Sequence, residues 1–247
     1  MRLLLVQPSH LNPDGTVFKS RKLPYPGLAL PLLAGMTPAD FDVEIVNDYS
    51  ERINYRDDYD LVALSAMTPQ IDRAYQIADR FRELGKKVII GGFHASFYPE
   101  EVLKHADAVA VGEAEETWPV MLDDFRRNRL EGIYRASRHP NLDNLPVPRF
   151  DLLKRTGYSL RATPIQTTRG CPKRCEFCSV HQFFGGAYRH QPIAHVVRDI
   201  KAAGTPFLFF VDDNIAADRP YSMAVSYTHL RAHETSLHLV CRLLLEK

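Results

Sequence analysis

The chain has 247 residues, of which 45% are hydrophobic and 25% charged, and its formal net charge is +1 at pH 7. This composition is that of an ordinary globular protein and argues against a disordered chain. The near-zero charge predicts no nucleic-acid partner, because polyanion binding usually requires a strong basic excess. No apolar run reaches the roughly 18 residues of a membrane span, and the N-terminus lacks the pattern of a signal peptide, so we expect a cytoplasmic protein.

The first half of the chain alternates short apolar runs with amphipathic stretches, which indicates a parallel sheet covered by helices. The five predicted strands are Leu3–Gln7, Asp42–Asn47, Leu61–Ser65, Lys87–Gly91 and Ala108–Val111. The four predicted helices are Leu28–Met36, Ile71–Leu84, Glu100–His105 and Glu116–Arg127. This α/β series predicts a flavodoxin-like doubly wound parallel sheet over residues 1–131, which binds ligands beyond the carboxyl ends of its strands.

Prolines interrupt the pattern after this domain. Residues 132–160 include Leu145-Pro146-Val147-Pro148, where proline disfavours both helix and central strand, and we expect an interdomain linker there. A second α/β series follows over residues 161–224. Its predicted elements are a strand near Pro164–Thr168, a cysteine loop, a helix near Ile193–Ala203 and a strand at Pro206–Val211.

The loop after the first of these strands carries three cysteines. Cys171, Cys175 and Cys178 are spaced C-x3-C-x2-C, which lets three sulfurs converge on one small object. In a reducing compartment, clustered thiols favour a metal or redox site over a disulfide framework. Iron–sulfur cubanes are usually held by four thiolates, so three from one loop would leave one iron open to another ligand.

This spacing, with the aromatic Phe177 directly before the last cysteine, resembles the cluster motif of the radical SAM enzymes. The resemblance implies a [4Fe-4S] cluster on Cys171, Cys175 and Cys178, with S-adenosylmethionine (SAM) chelating the open iron. It implies reductive cleavage of SAM to a 5′-deoxyadenosyl radical, with Phe177 near the adenine and an electron donor such as flavodoxin or ferredoxin. The second series would then be the start of a partial TIM-like radical SAM (β/α) barrel that is cut short.

A zinc site is the alternative for the same loop. Cys171, Cys175 and Cys178 together with His181 could supply the four tetrahedral sulfur and nitrogen ligands that zinc accepts. Structural zinc ligands more often come as separated pairs, and this loop directly follows a strand, so we favour the cluster.

Paired carboxylates stand at the end of the next predicted strand. Radical SAM enzymes often carry Gly-Gly-Glu there, which meets the amino group of SAM, whereas this chain has Asp212 and Asp213. The resemblance makes both residues candidates for that role, because a carboxylate accepts hydrogen bonds from an ammonium group. A solvated turn or a helix cap is an equally good explanation of Asp at this position.

Small residues end two neighbouring strands of the first domain. Ser65 closes the third predicted strand, and Gly91 and Gly92 follow the fourth, where glycine permits close approach of a bulky ligand. With a five-stranded domain upstream of the cysteine loop, this pattern resembles the cobalamin-binding domain fused to many radical SAM enzymes. The resemblance implies that Ser65, Gly91 and Gly92 surround the nucleotide tail of cobalamin. The chain lacks the Asp-x-His-x-x-Gly motif of domains that supply a histidine to cobalt, and we name no axial ligand.

The composition changes after Ala224. Residues 225–247 resemble a tail that recurs on unrelated proteins assembled from sequencing reads, as if adapter DNA had been translated. On this interpretation the tail is non-native and the native chain continues differently beyond Ala224. A genuine amphipathic helix is the alternative.

Together these features predict a radical SAM enzyme fragment that cleaves SAM reductively, with cobalamin-dependent methyl transfer or a related radical modification as its reaction. A small-molecule or lipid-like substrate is expected. Two rival functions remain, namely a module that binds cobalamin or another small ligand without catalysis, and a zinc-binding protein.

Overall fold

The computed structural model describes residues 1–20, 22–23, 25–154, 158–159, 162–205 and 207–232, with backbone alone for 228–232. The chain divides into two compact units. The first comprises Met1–Pro140 and Pro146–Thr163, and the second comprises Asn141–Leu145 and Pro164–Lys247.

A parallel sheet forms the centre of the first unit. Its strands are β1 Arg2–Gln7, β2 Asp42–Asn47, β3 Leu61–Ser65, β4 Lys87–Gly91, β5 Ala108–Val111 and β6 Gly132–Arg135. They lie in the order β2-β1-β3-β4-β5-β6, and every pair is parallel. The first five strands have the flavodoxin-like order, so the predicted fold class is confirmed.

Both faces of this sheet are buried, which explains the continuous apolar strands. Side chains of a strand point alternately to opposite faces. Accordingly, Leu4 and Val6 of β1 pack in one hydrophobic cluster, and Leu3 and Leu5 pack in another. A strand covered on both sides shows a run of apolar residues and no polar alternation.

The helices of the first unit are α1 Ala29–Met36, α2 Ile71–Glu83, α3 Phe93–Phe97, α4 Pro99–Val102 and α5 Ala114–Arg126. Three of them match the predicted helices to within two residues. The helix predicted at Glu100–His105 ends at Val102, three residues early, and begins at Pro99, whose ring fixes a helical φ and favours a first helical position. The five-residue α3 is too short to show a helical period in the sequence.

The sixth strand lies in the segment that we assigned to the linker. Gly132–Arg135 pairs with β5 from Ala108 to Val111 and so extends the sheet. It is an edge strand without a fully buried residue, and it therefore lacks the apolar run by which the other strands were predicted.

The second unit contains shorter elements, which are β7 Thr163–Ile165, β8 Thr168–Arg169, α6 Ser179–Phe184, β9 Arg189–His190, α7 Ile193–Ala203, β10 Leu208–Phe210 and α8 Arg219–Ala232. Strand β7 pairs with β10, and β8 is antiparallel to β9. The strand predicted near Pro164–Thr168 is divided between β7 and β8.

Helix α8 crosses the point at which we expect native sequence to end. It runs without a break through Ala224, and Val225 is buried. The rest of the predicted tail, residues 233–247, lies outside the described residues. Within the part of the chain that is described, no helix has the length and apolar character required to cross a membrane.

Candidate cofactor sites

The cysteine loop connects β8 to α6 in the second unit. Cys171 and Cys178 are half-buried and Cys175 is exposed, and all three are free thiols. The backbone N–H of Cys178 donates a hydrogen bond to the carbonyl of Cys175 at 3.0 Å, which folds the second half of the loop into a turn. Phe177 projects from this turn and is 92% exposed.

Gly170 fixes the entry to the loop. Its φ is +84°, and a Cβ atom at this position would lie 2.0 Å from the carbonyl oxygen of Ala187. A side chain is therefore excluded both by the left-handed backbone and by the close approach of the neighbouring chain. The conformation of the residue before Cys171 thus depends on glycine.

The segment Asp212 to Asn214, at the end of β10, runs along the start of this loop. Oδ1 of Asp212 accepts hydrogen bonds from the backbone N–H and the hydroxyl of Thr167, both at 2.9 Å, and from the backbone N–H and the hydroxyl of Thr168. Both threonines are fully buried. Asp212 therefore holds β8, the strand from which the cysteine loop departs.

The next two residues contact the loop itself. Oδ2 of Asp213 accepts a hydrogen bond from the backbone N–H of Gly170 at 2.9 Å. Nδ2 of Asn214 donates to Sγ of Cys171 at 3.5 Å. The three consecutive side chains thus bind consecutive parts of the segment that leads into the first cysteine.

These contacts separate the two carboxylates that the sequence left equivalent. Asp212 is committed to β8 through Oδ1, and its Oδ2 is buried without a hydrogen-bond partner among the described residues. Asp213 is exposed. Although the residue as a whole is exposed, partial burial of its carboxyl group raises the pKa of Asp213. The hydrogen bond from the Gly170 N–H lowers this pKa, and the negative charge of Asp212 raises it. Asp213 is therefore the better placed of the two to meet a cation from outside the protein.

The donor set of the loop fits an iron–sulfur cluster better than a single ion. Among the described residues, no group of three or more His, Cys, Asp or Glu side chains is arranged to hold one metal ion. The ring of His181 instead packs on Gly186, where a Cβ atom would lie 2.3 Å from its Cε1. Three thiolates from one loop are the donor type that iron–sulfur clusters use, and each would bind a separate iron of a cubane.

In the first unit, the carboxyl ends of β3 and β4 bring the predicted cobalamin residues together. Ser65 and Gly91 are direct partners in the parallel ladder. Gly92 has φ +100°, and a Cβ atom there would lie 2.6 Å from the carbonyl oxygen of Ala66. The need for glycine at position 92 therefore follows from packing between the two loops.

A buried charge cluster at the same edge was missed by sequence reasoning. Asp48 follows β2 and is fully buried, and it accepts hydrogen bonds from Ser9, Lys19 and Arg73. Burial alone would raise the pKa of Asp48, but the hydrogen bonds from Arg73 and Lys19 hold it below its ordinary value. An aspartate directly after an apolar strand was the available signal, but its cationic partners are distant in sequence.

Comparison with known proteins identifies the domain of the first unit and finds relatives over most of the chain. Residues 16–122 match the family model of the B12 binding domain. The chain is 36% identical over 217 residues to bacteriochlorophyllide d C-8(2)-methyltransferase of Chlorobaculum tepidum, covering 81% of this chain and 48% of that protein. It is 30% identical over 197 residues to hopanoid C-3 methylase of Methylococcus capsulatus, covering 70% and 38%.

Among solved structures, the radical SAM methyltransferase TsrM from Kitasatospora setae, with cobalamin and a [4Fe-4S] cluster bound, superposes with a TM-score of 0.67. The sequence identity is 16%, and the match covers 96% of this chain and 52% of TsrM. The chain thus spans about half the length of the relatives it matches most extensively. Residues 16–122 thus form a B12 binding domain, and the chain is related over most of its length to curated methyltransferases and shares the fold of TsrM.

Proposed function

We propose that the complete protein is a cobalamin-dependent radical SAM methyltransferase. The observation that carries the proposal is a loop with three free thiols. The loop follows β8, and Asp212 and Asp213 at the end of β10 bind its start. The same chain has a B12 binding domain. The names of the relatives support methyl transfer to a carbon atom of a large, mostly apolar small molecule, such as a tetrapyrrole or a polycyclic lipid.

In this proposal Cys171, Cys175 and Cys178 hold a [4Fe-4S] cluster. Such a cluster, when bound, supplies the electron that cleaves SAM and an open iron to which SAM binds as a chelating ligand. Gly170 and the Asp212 clamp keep Cys171 at a fixed position relative to β8. The exposed side chain of Phe177 is free to contact the adenine, and the carboxylate of Asp213 accepts hydrogen bonds from the ammonium group of SAM.

The first unit binds cobalamin at the carboxyl ends of its strands, as is general for open α/β sheets. Ser65, Gly91 and Gly92 contribute small side chains and close backbone approach there. Cobalamin, when bound, supplies a methyl carrier. The residues of the sheet edge serve to bind and orient it.

Anaerobic reconstitution of the chain with iron and sulfide tests the cluster. The proposal predicts about four irons per chain, and loss of most of that iron when Cys171, Cys175 and Cys178 are each replaced by alanine. Cys241→Ala is the matched control, because it removes the fourth cysteine of the chain, which lies outside the loop. Stoichiometric zinc without visible absorbance, or equal iron in the loop variants and the control, would contradict the proposal.

A further inference from the structure

The amide of Asn214 is a hydrogen-bond donor to the proposed cluster ligand Cys171. Its Nδ2 lies 3.5 Å from Sγ of Cys171. A thiolate accepts hydrogen bonds but cannot donate them, so the amide must present its N–H side to the sulfur when Cys171 is a ligand. Among the described residues, no hydrogen bond to Sγ of Cys175 or Cys178 is found, which makes this contact specific to the first cysteine.

Asn214 is held in this orientation from its other side. Its backbone carbonyl accepts a hydrogen bond from the hydroxyl of Tyr188 at 2.9 Å and from the backbone N–H of Ala217 at 3.1 Å. Asp212 and Asp213, which precede it, are fixed to Thr167 and Gly170. The backbone of Asn214 is therefore fixed, and this keeps its side chain beside Cys171.

We infer that Asn214 is a positioning residue that raises the reduction potential of the cluster through Cys171. This inference rests on the proposed function. A hydrogen bond to a ligand sulfur stabilises negative charge on the cluster, and the reduced cluster carries one more negative charge than the oxidised cluster. The contact consequently favours the reduced state, which is the state that donates the electron to SAM.

The test is an EPR-monitored redox titration of the reconstituted chain without SAM. Asn214→Leu keeps the approximate shape of the side chain and removes the donor. We expect the equilibrium constant for one-electron reduction to fall threefold to tenfold, and tenfold corresponds to about 59 mV. Asn214→Ala is a second variant that removes the donor, and it should shift the potential in the same direction.

Tyr188→Phe is the matched control, because it removes one hydrogen bond to the carbonyl of Asn214 while the bond from the backbone N–H of Ala217 still fixes that carbonyl and the sulfur contact stays in place. Its potential should equal that of the unmodified chain. Three outcomes would overturn this inference and leave the proposed function standing. They are an equal shift of the potential in Tyr188→Phe, unchanged potentials in both Asn214 variants, and a failure of both Asn214 variants to assemble a cluster that Tyr188→Phe retains. Absence of a cluster in the unmodified chain would overturn the proposed function and the inference with it.

Discussion

The contacts of Asp212 predict a large and local loss of stability when its carboxylate is removed. In Asp212→Ala the backbone N–H groups of Thr167 and Thr168 lose their acceptor. Both threonines are fully buried, so water cannot replace the carboxylate without opening the strand. An unsatisfied buried donor costs about 1–3 kcal/mol, and two of them cost about 2–6 kcal/mol.

Hydrogen exchange followed by mass spectrometry measures this effect locally. A loss of 2 kcal/mol corresponds to about 30-fold faster exchange where exchange follows local opening. We therefore expect the amides of Thr167 and Thr168 to exchange at least about 30-fold faster in Asp212→Ala. The fluorescence of Trp118, the single tryptophan, reports unfolding of the first unit and should change little.

Asp213→Ala is the control for this experiment. Asp213 accepts one backbone N–H, that of the buried Gly170, so Asp213→Ala leaves one unsatisfied donor, at about 1–3 kcal/mol, where Asp212→Ala leaves two. Because that donor is not on Thr167 or Thr168, their amides should be accelerated much less than in Asp212→Ala. Exchange at Thr167 and Thr168 that is accelerated less than threefold in Asp212→Ala, or equally in the two variants, would refute the assignment of Asp212 as the clamp of β8.

Three further predictions concern the first unit. Asp48→Asn removes the partner of the half-buried Arg73 and should lower the free energy of unfolding by about 3 kcal/mol, measured by urea titration; a loss below about 1 kcal/mol would contradict it. The folded pKa of Asp48 lies below its ordinary value of 3.8. The contribution of ionised Asp48 to the free energy of unfolding is therefore complete above pH 3.8 and is lost as the pH falls through the folded pKa. The difference in free energy of unfolding between the unmodified chain and Asp48→Asn should therefore shrink below pH 3.8. If Asp48 were not ionised in the fold, this difference would not change with pH. Gly92→Ala should lower the free energy of unfolding by more than about 2 kcal/mol, because it combines a positive φ with a clash at Ala66. Gly85→Ala is the control: Gly85 has a positive φ but open space around it, and its substitution should cost about 1 kcal/mol. Equal losses in the two glycine variants would show that the Ala66 contact is unimportant.

The sheet was largely predictable because its strands are buried on both faces. The apolar runs from Leu3–Gln7 to Ala108–Val111 marked five strands, and the amphipathic period marked α2 and α5. Strand β6 escaped this reasoning because it lies at an edge and is only half-buried. Short elements such as α3 carry too few residues for a period to be read.

The cysteine ligands of the proposed cluster could be predicted from the sequence, but the different roles of the two aspartates could not. The spacing of Cys171, Cys175 and Cys178 indicated a cluster loop without any structural knowledge. The sequence could not separate Asp212 from Asp213, because their difference arises from hydrogen bonds to residues more than forty positions away. For the same reason the partners of Asp48 were hidden, since Arg73 reaches it from a helix two elements later.

The proposed chemistry depends on a [4Fe-4S] cluster that is held by three thiols and has one iron open to SAM. EPR spectra of the reduced, reconstituted chain before and after addition of SAM test it most directly. We expect a cluster signal whose g-values and line shape change when SAM coordinates the open iron. A reduced chain without a cluster signal, or with a signal that saturating SAM leaves unaltered, would contradict the claim.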